Sequence, residues 1–285
     1  MPFLPLPRLL RGLGVLALLP CLVGCSDDVP AADATLVIDG WLDADGFPMV
    51  VVTTSLPLAG REDKDLSLSD VLVRWATVSV SDGEHSYVLT GSSDKRYTPP
   101  YIYRSYAFRG KPGVDYTVTV SDHGRVATAH SVMPPVTPID TVVVRALPES
   151  DTLRQVELTF TPPEGRHYYH VECRVRGKHY RCLPARLGAV VTNGALPTTI
   201  PVYSPKNIAD TTRSTSPHFA LGDTVDIRLC AVTEEVWQFW SAYDEAVSVG
   251  TSIFITPSGS LPTTVSGGKG VWSVQGTATA SVVIR

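Results

Sequence analysis

From Thr35 onward, short runs rich in Val, Thr and Tyr alternate with clusters of Gly, Asp, Ser and Pro. In ATVSVSDG, Val78 and Val80 alternate with Thr77, Ser79 and Ser81, the period-two pattern of a strand with one buried face. TLVIDGWL, MVVVTT, SYVLTGS and DYTVTVSDHGRVATAHSV repeat the theme. Asp122-His123-Gly124, between Tyr116-Thr117-Val118 and Val126-Ala127-Thr128, predicts a hairpin in which glycine supplies positive φ. Ser81-Asp82-Gly83 reads as another turn, with Asp bonding to nearby backbone.

The stretch MPPVTPID, Met133 to Asp140, carries three prolines that cannot donate ladder hydrogen bonds, which marks a seam between domains. Beyond it lie further strand patterns, DTVVVRAL and QVELTFTPP, and one helical pattern, TEEVWQFWSAYDEAVSVG. Thr233 is a candidate N-cap, Glu234 and Glu235 complement the helix dipole, and Gly250 is a candidate stop. Val236, Trp240, Tyr243 and Val247 form one stripe, either packed on a sheet or offered as a ligand platform. The expected fold is mainly β: an Ig-like β-sandwich over 35–136, then a second β-rich domain over 137–285 with one amphipathic helix near 233–249.

The leader changes the picture of where this fold works. Arg8 and Arg11 precede an apolar segment, Leu13 to Leu19, too short to span a bilayer, where a helix needs roughly 20 residues. It reads as a secretory signal over 1–24. Leu22-Val23-Gly24 before Cys25 resembles the lipobox of bacterial lipoproteins, so Cys25 is the expected lipidated N-terminus and 25–34 an acidic tether. Acyl chains contribute about 0.8 kcal/mol per buried CH₂, enough for several to hold the chain on a membrane. Ser26, Asp27 and Asp28 resemble the acidic signal that follows the lipidated cysteine in surface-exported lipoproteins, which implies an outer-membrane anchor facing the cell exterior.

Loss of residues 1–24 removes two arginines from 24 basic residues and none of the 28 acidic ones, leaving 22 against 28 and a net charge of −6. That balance disfavours nucleic acid, whose binding is driven by clustered positive charge. Beyond Cys25 the cysteines are Cys173, Cys182 and Cys230, an odd number that leaves at most one internal bridge.

In ECRVRGKHYRC the two cysteines lie symmetrically about Gly177-Lys178. A two-residue turn there pairs Cys173 with Cys182 at a non-hydrogen-bonded position, where a cross-strand disulfide fits. The same register puts Arg174, Arg176, His179 and Arg181 on one face, with Lys178 at the tip. This basic face reads either as a solvated edge or as a docking surface for an acidic loop or anionic ligand. Tyr97, Tyr101, Tyr103 and Tyr106, in YTPPYIYRSY, form a second candidate binding face, with Tyr101 and Tyr103 sharing strand parity.

Catalytic chemistry is not legible. No CxxC, HExxH, GxSxG or P-loop occurs, and on a strand His167 and His170 point to opposite faces, so they cannot share a metal unless the segment is a turn. No catalytic residue, metal or cofactor is expected, and the chain reads as a non-enzyme.

The lipobox, then LVIDGWLDADGFPMVVVTTSLPL, ATVSVSDGEHSYVLT, GVDYTVTVSDHGRVATAHSVMPP and finally GGKGVWSV, taken in that order, resemble domain-of-unknown-function family 4249 (DUF4249), outer-membrane lipoproteins of the Bacteroidota. The resemblance implies a β-rich lipoprotein encoded beside TonB-dependent transporters. The implied role is a non-catalytic accessory or ligand-binding partner of such a transporter in nutrient uptake, the nutrient being unspecified. The alternative expectation is a fimbrial or adhesin-like subunit, with ATASVVIR as a donated terminal strand.

Overall fold

The computed structural model describes residues 34–55, 71–205, 216–248 and 261–285. The signal, Cys25 and Ser26–Asp28 lie outside the described residues, as does Gly250. The residues from Ala34 onward form one compact unit.

The strands, in chain order, are β1 (Leu36–Asp43), β2 (Met49–Thr54), β3 (Thr77–Ser81), β4 (Ser86–Ser93), β5 (Tyr101–Arg104), β6 (Asp115–Asp122) and β7 (Arg125–Val132). After the proline-rich seam come β8 (Ile139–Leu147), β9 (Ser150–Phe160), β10 (Arg166–Val175), β11 (Leu183–Asn193), β12 (Thr198–Val202), β13 (Phe219–Ala220) and β14 (Thr224–Val232). Helix α1 (Glu234–Ser248) and the long β15 (Lys269–Val283) complete the described elements. The chain is thus mainly β with one helix.

Eleven strands join one sheet in the order β11-β10-β14-β15-β1-β2-β5-β4-β3-β6-β7, and β12-β9-β13 with β8 make a smaller one. The strands from β15 round to β7 enclose a first core that includes Leu36, Ile38, Val78, Val118, Tyr116 and Trp272. A bridge from Thr128 to Ser266 brings β7 back to the segment that leads into β15. The second core, including Phe160, Tyr169, Val171, Ile227 and Leu229, lies between β10 and β14 and the smaller sheet. Both halves are sandwich-like.

The predicted local elements form for the predicted reasons. β6 and β7 meet with Asp122 opposite Arg125, so His123 (φ 45°) and Gly124 (φ 81°) make a two-residue turn with positive φ at both positions. Asp82 Oδ1 accepts hydrogen bonds from the Glu84 and His85 amides, as a turn-forming Asp should. Trp237 N–H donates to the Thr233 carbonyl, which starts α1 directly after Thr233.

β15 serves both cores. Lys269–Gln275 run parallel to β1, and Gly276–Val283 run antiparallel to β14. Glycine makes the first contact possible: Gly270 has φ +107°, and a Cβ there would fall 1.9 Å from the Ile38 carbonyl oxygen. Halfway along, Gly276 lies against the proline-rich seam, where a Cβ would meet the Pro134 and Pro135 carbonyls at 2.5 and 2.6 Å.

Alternation along the shared strands sorts two faces. Tyr169, Val171 and Cys173 of β10 and Ile227, Leu229 and Ala231 of β14 point into the second core. Their neighbours His170, Glu172, Arg174, Asp226, Arg228 and Cys230 share the opposite face, which carries the chemistry described next.

Candidate functional site

The basic hairpin does not close as its symmetry suggests. β10 ends at Val175, and Cys173 stands opposite Leu183, not Cys182. Lys178 and His179 both donate to the Val175 carbonyl, so a longer turn, with Gly177 at φ +83°, replaces the two-residue one. Cys173, Cys182 and Cys230 are free thiols. Burial pushes the Cys173 thiol up, and Cys182 to about 11, which keeps both protonated. The register is set by β14, which ladders with β10 along Tyr168–Val175, while β11 joins through a bulge around Val171.

The predicted basic face is drawn inward by Asp226 of β14 and Asp223 of the turn before it. Arg174 Nε reaches Asp226 Oδ2 at 2.9 Å, and Arg176 Nη2 reaches Asp226 Oδ1 at 2.6 Å. The Arg176 hydrogen bond outweighs burial and, helped by Ser281 and Arg174, holds the Asp226 carboxyl well below the usual range. Lys178 Nζ pairs with Asp223 at 2.9 Å. A shallow hollow of about 430 Å³ remains, lined by Arg174, Arg176, Gly177, Lys178, His179 and Tyr180.

The tyrosine face also divides. Tyr103 is 2% exposed and donates to the Val73 carbonyl at 2.9 Å, and burial pushes its phenol up to about 12. Tyr101 packs against the same core and donates to the Arg74 carbonyl at 3.0 Å. Both hold the sheet to the 73–76 segment, Tyr103 buried and Tyr101 half-buried. Tyr106 is exposed, edge-on to Phe47 with centroids 4.9 Å apart.

Tyr97 instead joins a surface cluster that the sequence does not announce, because its members come from three distant segments. The Tyr97 ring lies 6.2 Å from Trp41 of β1 and 6.2 Å from Tyr180 of the β10–β11 turn. The Arg181 guanidinium lies 4.9 Å over Trp41 and pairs with Asp39 at 3.7 Å. Arg96 lies 4.5 Å over Tyr180 and donates from Nε to Asp94 Oδ1 at 2.7 Å. That hydrogen bond outweighs burial and lowers the Asp94 carboxyl to about 2. The result is an aromatic–guanidinium platform whose members orient one another before any partner arrives.

Beside it, under α1, the same face holds a second constellation. Arg228 bridges Asp43 of β1 and Glu172 of β10, the latter at 3.1 Å. Burial opposes its charge, but Glu172 and Asp43 outweigh burial and keep the guanidinium protonated. Gln275 Nε2 and Thr277 Oγ1 donate to Asp43 Oδ1 at 2.7 and 2.8 Å, and Ser273 Oγ donates to Gln275 Oε1 at 2.8 Å. His170 Nε2 lies 3.1 Å from Gln275 Oε1, and the Trp240 ring stacks on the imidazole at 4.8 Å. Cys230 is buried opposite His170. His167 is not part of this group; its Nε2 contacts the Glu164 carbonyl at 2.9 Å. The α1 stripe thus packs on β10, β14 and β15 through Val236 and Trp240. The Val247 side chain lies outside the described residues.

Helix α1 also carries Asp244, whose Oδ2 accepts the Ala189 amide at 3.1 Å. Burial pushes this carboxyl up to about 6, the Ala189 and Gly188 amides only partly offsetting it. A raised folded pKa means the fold prefers the protonated acid. Its contribution is therefore complete below the carboxyl's ordinary value of 3.8 and is lost as pH rises through about 6. Asp244→Asn is expected to raise stability at pH 7 by about 1–2 kcal/mol, after discounting for solvent screening, and to flatten the slope between these pH values. Urea midpoints of variant and parent across pH 3.5 to 7.5 check this.

A search of curated proteins returns no match. A family model described as a domain of unknown function (DUF4249) matches residues 25–280, nearly the whole chain, including every residue of both constellations. This chain therefore belongs to the DUF4249 family.

Proposed function

We propose that this protein is a non-catalytic binding module, held on the outer membrane by lipid at Cys25, that serves as a partner of a TonB-dependent transporter. The observation that carries the reading is the platform of Trp41, Tyr97, Tyr180, Arg96 and Arg181. Trp, Tyr and Arg are the residue types that concentrate binding energy at protein interfaces, and here their rotamers are already constrained. The platform's carboxylates, Asp94 and Asp39, are paired with Arg96 and Arg181, which favours binding over acid–base work. The lipobox and the family resemblance supply the membrane and transporter parts of the proposal. In this reading β15 is retained within its own sheet, paired to β14 as far as Val283, and not donated to a neighbouring subunit.

Affinity capture of the intact lipoprotein from detergent-solubilised outer membrane tests it. A barrel of the TonB-dependent class should accompany the parent chain, and a Tyr97→Ala/Arg181→Ala variant should recover at least about tenfold less of it. Cys25→Ala should move the chain from the membrane to the soluble fraction. Capture without any barrel, or undiminished capture by the double variant, overturns the assignment of this surface.

A further inference from the structure

We propose that His170, Glu172 and Cys230 form a binding site for one divalent metal ion of the zinc class. His170 and Cys230 face each other across the β10–β14 ladder, and Glu172 follows His170 by two residues on the same face. One ligand atom from each lies within 4.8 Å of the others. His170 Nε2 and Glu172 Oε1 stand 3.8 Å apart, close to the roughly 3.5 Å edge of a tetrahedron with zinc bond lengths. Closing the trio's widest span, at most 4.8 Å, to that edge takes a shift of about 1 Å.

The donor types narrow the ion. Imidazole with thiolate suits zinc and its neighbours, whereas calcium and magnesium take oxygen ligands. Charge points the same way. Around the trio stand two carboxylates, Asp43 and Glu172, and one guanidinium, Arg228, a surplus of one negative charge on a face covered by α1. Binding a dication while the Cys230 thiol gives its proton to solvent adds one positive charge and leaves the cluster neutral.

The imidazole is held in place by its burial and by the ring packed on it. His170 is 1% exposed, and its Nδ1 has no hydrogen-bond partner. Trp240 stacks on the ring and holds its plane, and Gln275 Oε1 contacts Nε2, the same nitrogen that faces Glu172, so that contact gives way when the ion enters. The two carboxylates retain some solvent access, at 13% for Glu172 and 22% for Asp43, which leaves an entry path.

Cobalt(II) titration of the purified full-length protein, stripped with chelator, tests the proposal. One equivalent should produce a thiolate-to-cobalt band in the near ultraviolet and visible bands of four-coordinate cobalt, both displaced by zinc. Cys230→Ser should abolish the near-ultraviolet band, and His170→Gln should weaken binding at least tenfold. A Cys173→Ser/Cys182→Ser variant should keep the spectrum of the parent. Circular dichroism establishes that each variant is folded. Absence of the thiolate band in the parent protein overturns the proposal whatever the variants do, as does its persistence in Cys230→Ser or its loss with Cys173 and Cys182.

Discussion

Trp272→Ala is expected to cost about 3–5 kcal/mol, enough to unfold much of the chain at moderate urea. Trp272 is 0% exposed in the first core, and its register partner in β1 is Gly40. A Cβ at Gly40 would lie 2.7 Å from Trp272 Cε3, so the missing side chain is the space the indole fills. The indole Nε1–H also donates to the Tyr116 carbonyl at 2.9 Å, tying β15 to β6. Trp272→Phe keeps most of the apolar contact and removes the donor, so it should cost only about 1–3 kcal/mol for the unsatisfied carbonyl and the smaller ring. Urea midpoints from far-ultraviolet circular dichroism separate the two. Equal losses would mean that the hydrogen bond, and not the packing, dominates.

Arg228→Ala is the second large loss, about 3–5 kcal/mol. The guanidinium reaches Asp43 and Glu172 from one position on β14, and its removal leaves two carboxylates facing each other without a cation. Arg228→Lys should recover little, because a single ammonium cannot reproduce the two-armed geometry. The triple change Arg228→Met/Asp43→Asn/Glu172→Gln should recover most of the loss, since a neutral set has no unpaired charge to bury. These measurements belong in chelator, so that a bound metal does not compensate the exposed acids. If the triple variant is no more stable than Arg228→Ala, the loss comes from packing and not from charge.

The helix, the β6–β7 turn and the strand alternation were legible because each depends on residues close together in the chain. Thr233, Glu234 and the Val236–Trp240 spacing specify α1 within about one turn of its start. His123-Gly124 tolerates positive φ without outside help. The ECRVRGKHYRC hairpin misled because its symmetry is also local, while its register is decided by β14, about fifty residues away. One long ladder with β14 outweighs a short, charge-repelling hairpin, and so Cys182 leaves the strand. Tyr101 and Tyr103 were indistinguishable from surface tyrosines until β5 acquired β2 and β4 as neighbours.

Both constellations escaped for the same reason. The platform draws Trp41, Tyr97 and Tyr180 from three segments, and the buried trio joins His170 and Glu172 to Cys230 across two strands. No motif spacing records such meetings. The sequence by itself determined the strands, the helix and the family, because propensity, periodicity and short motifs are properties of neighbouring residues. Only the tertiary structure decided that β15 would close the first core beside β1, and that its other face would align with β10 and β14. Strand pairing and face sharing are settled by the burial of distant apolar positions against one another, a free energy that no short stretch of chain contains.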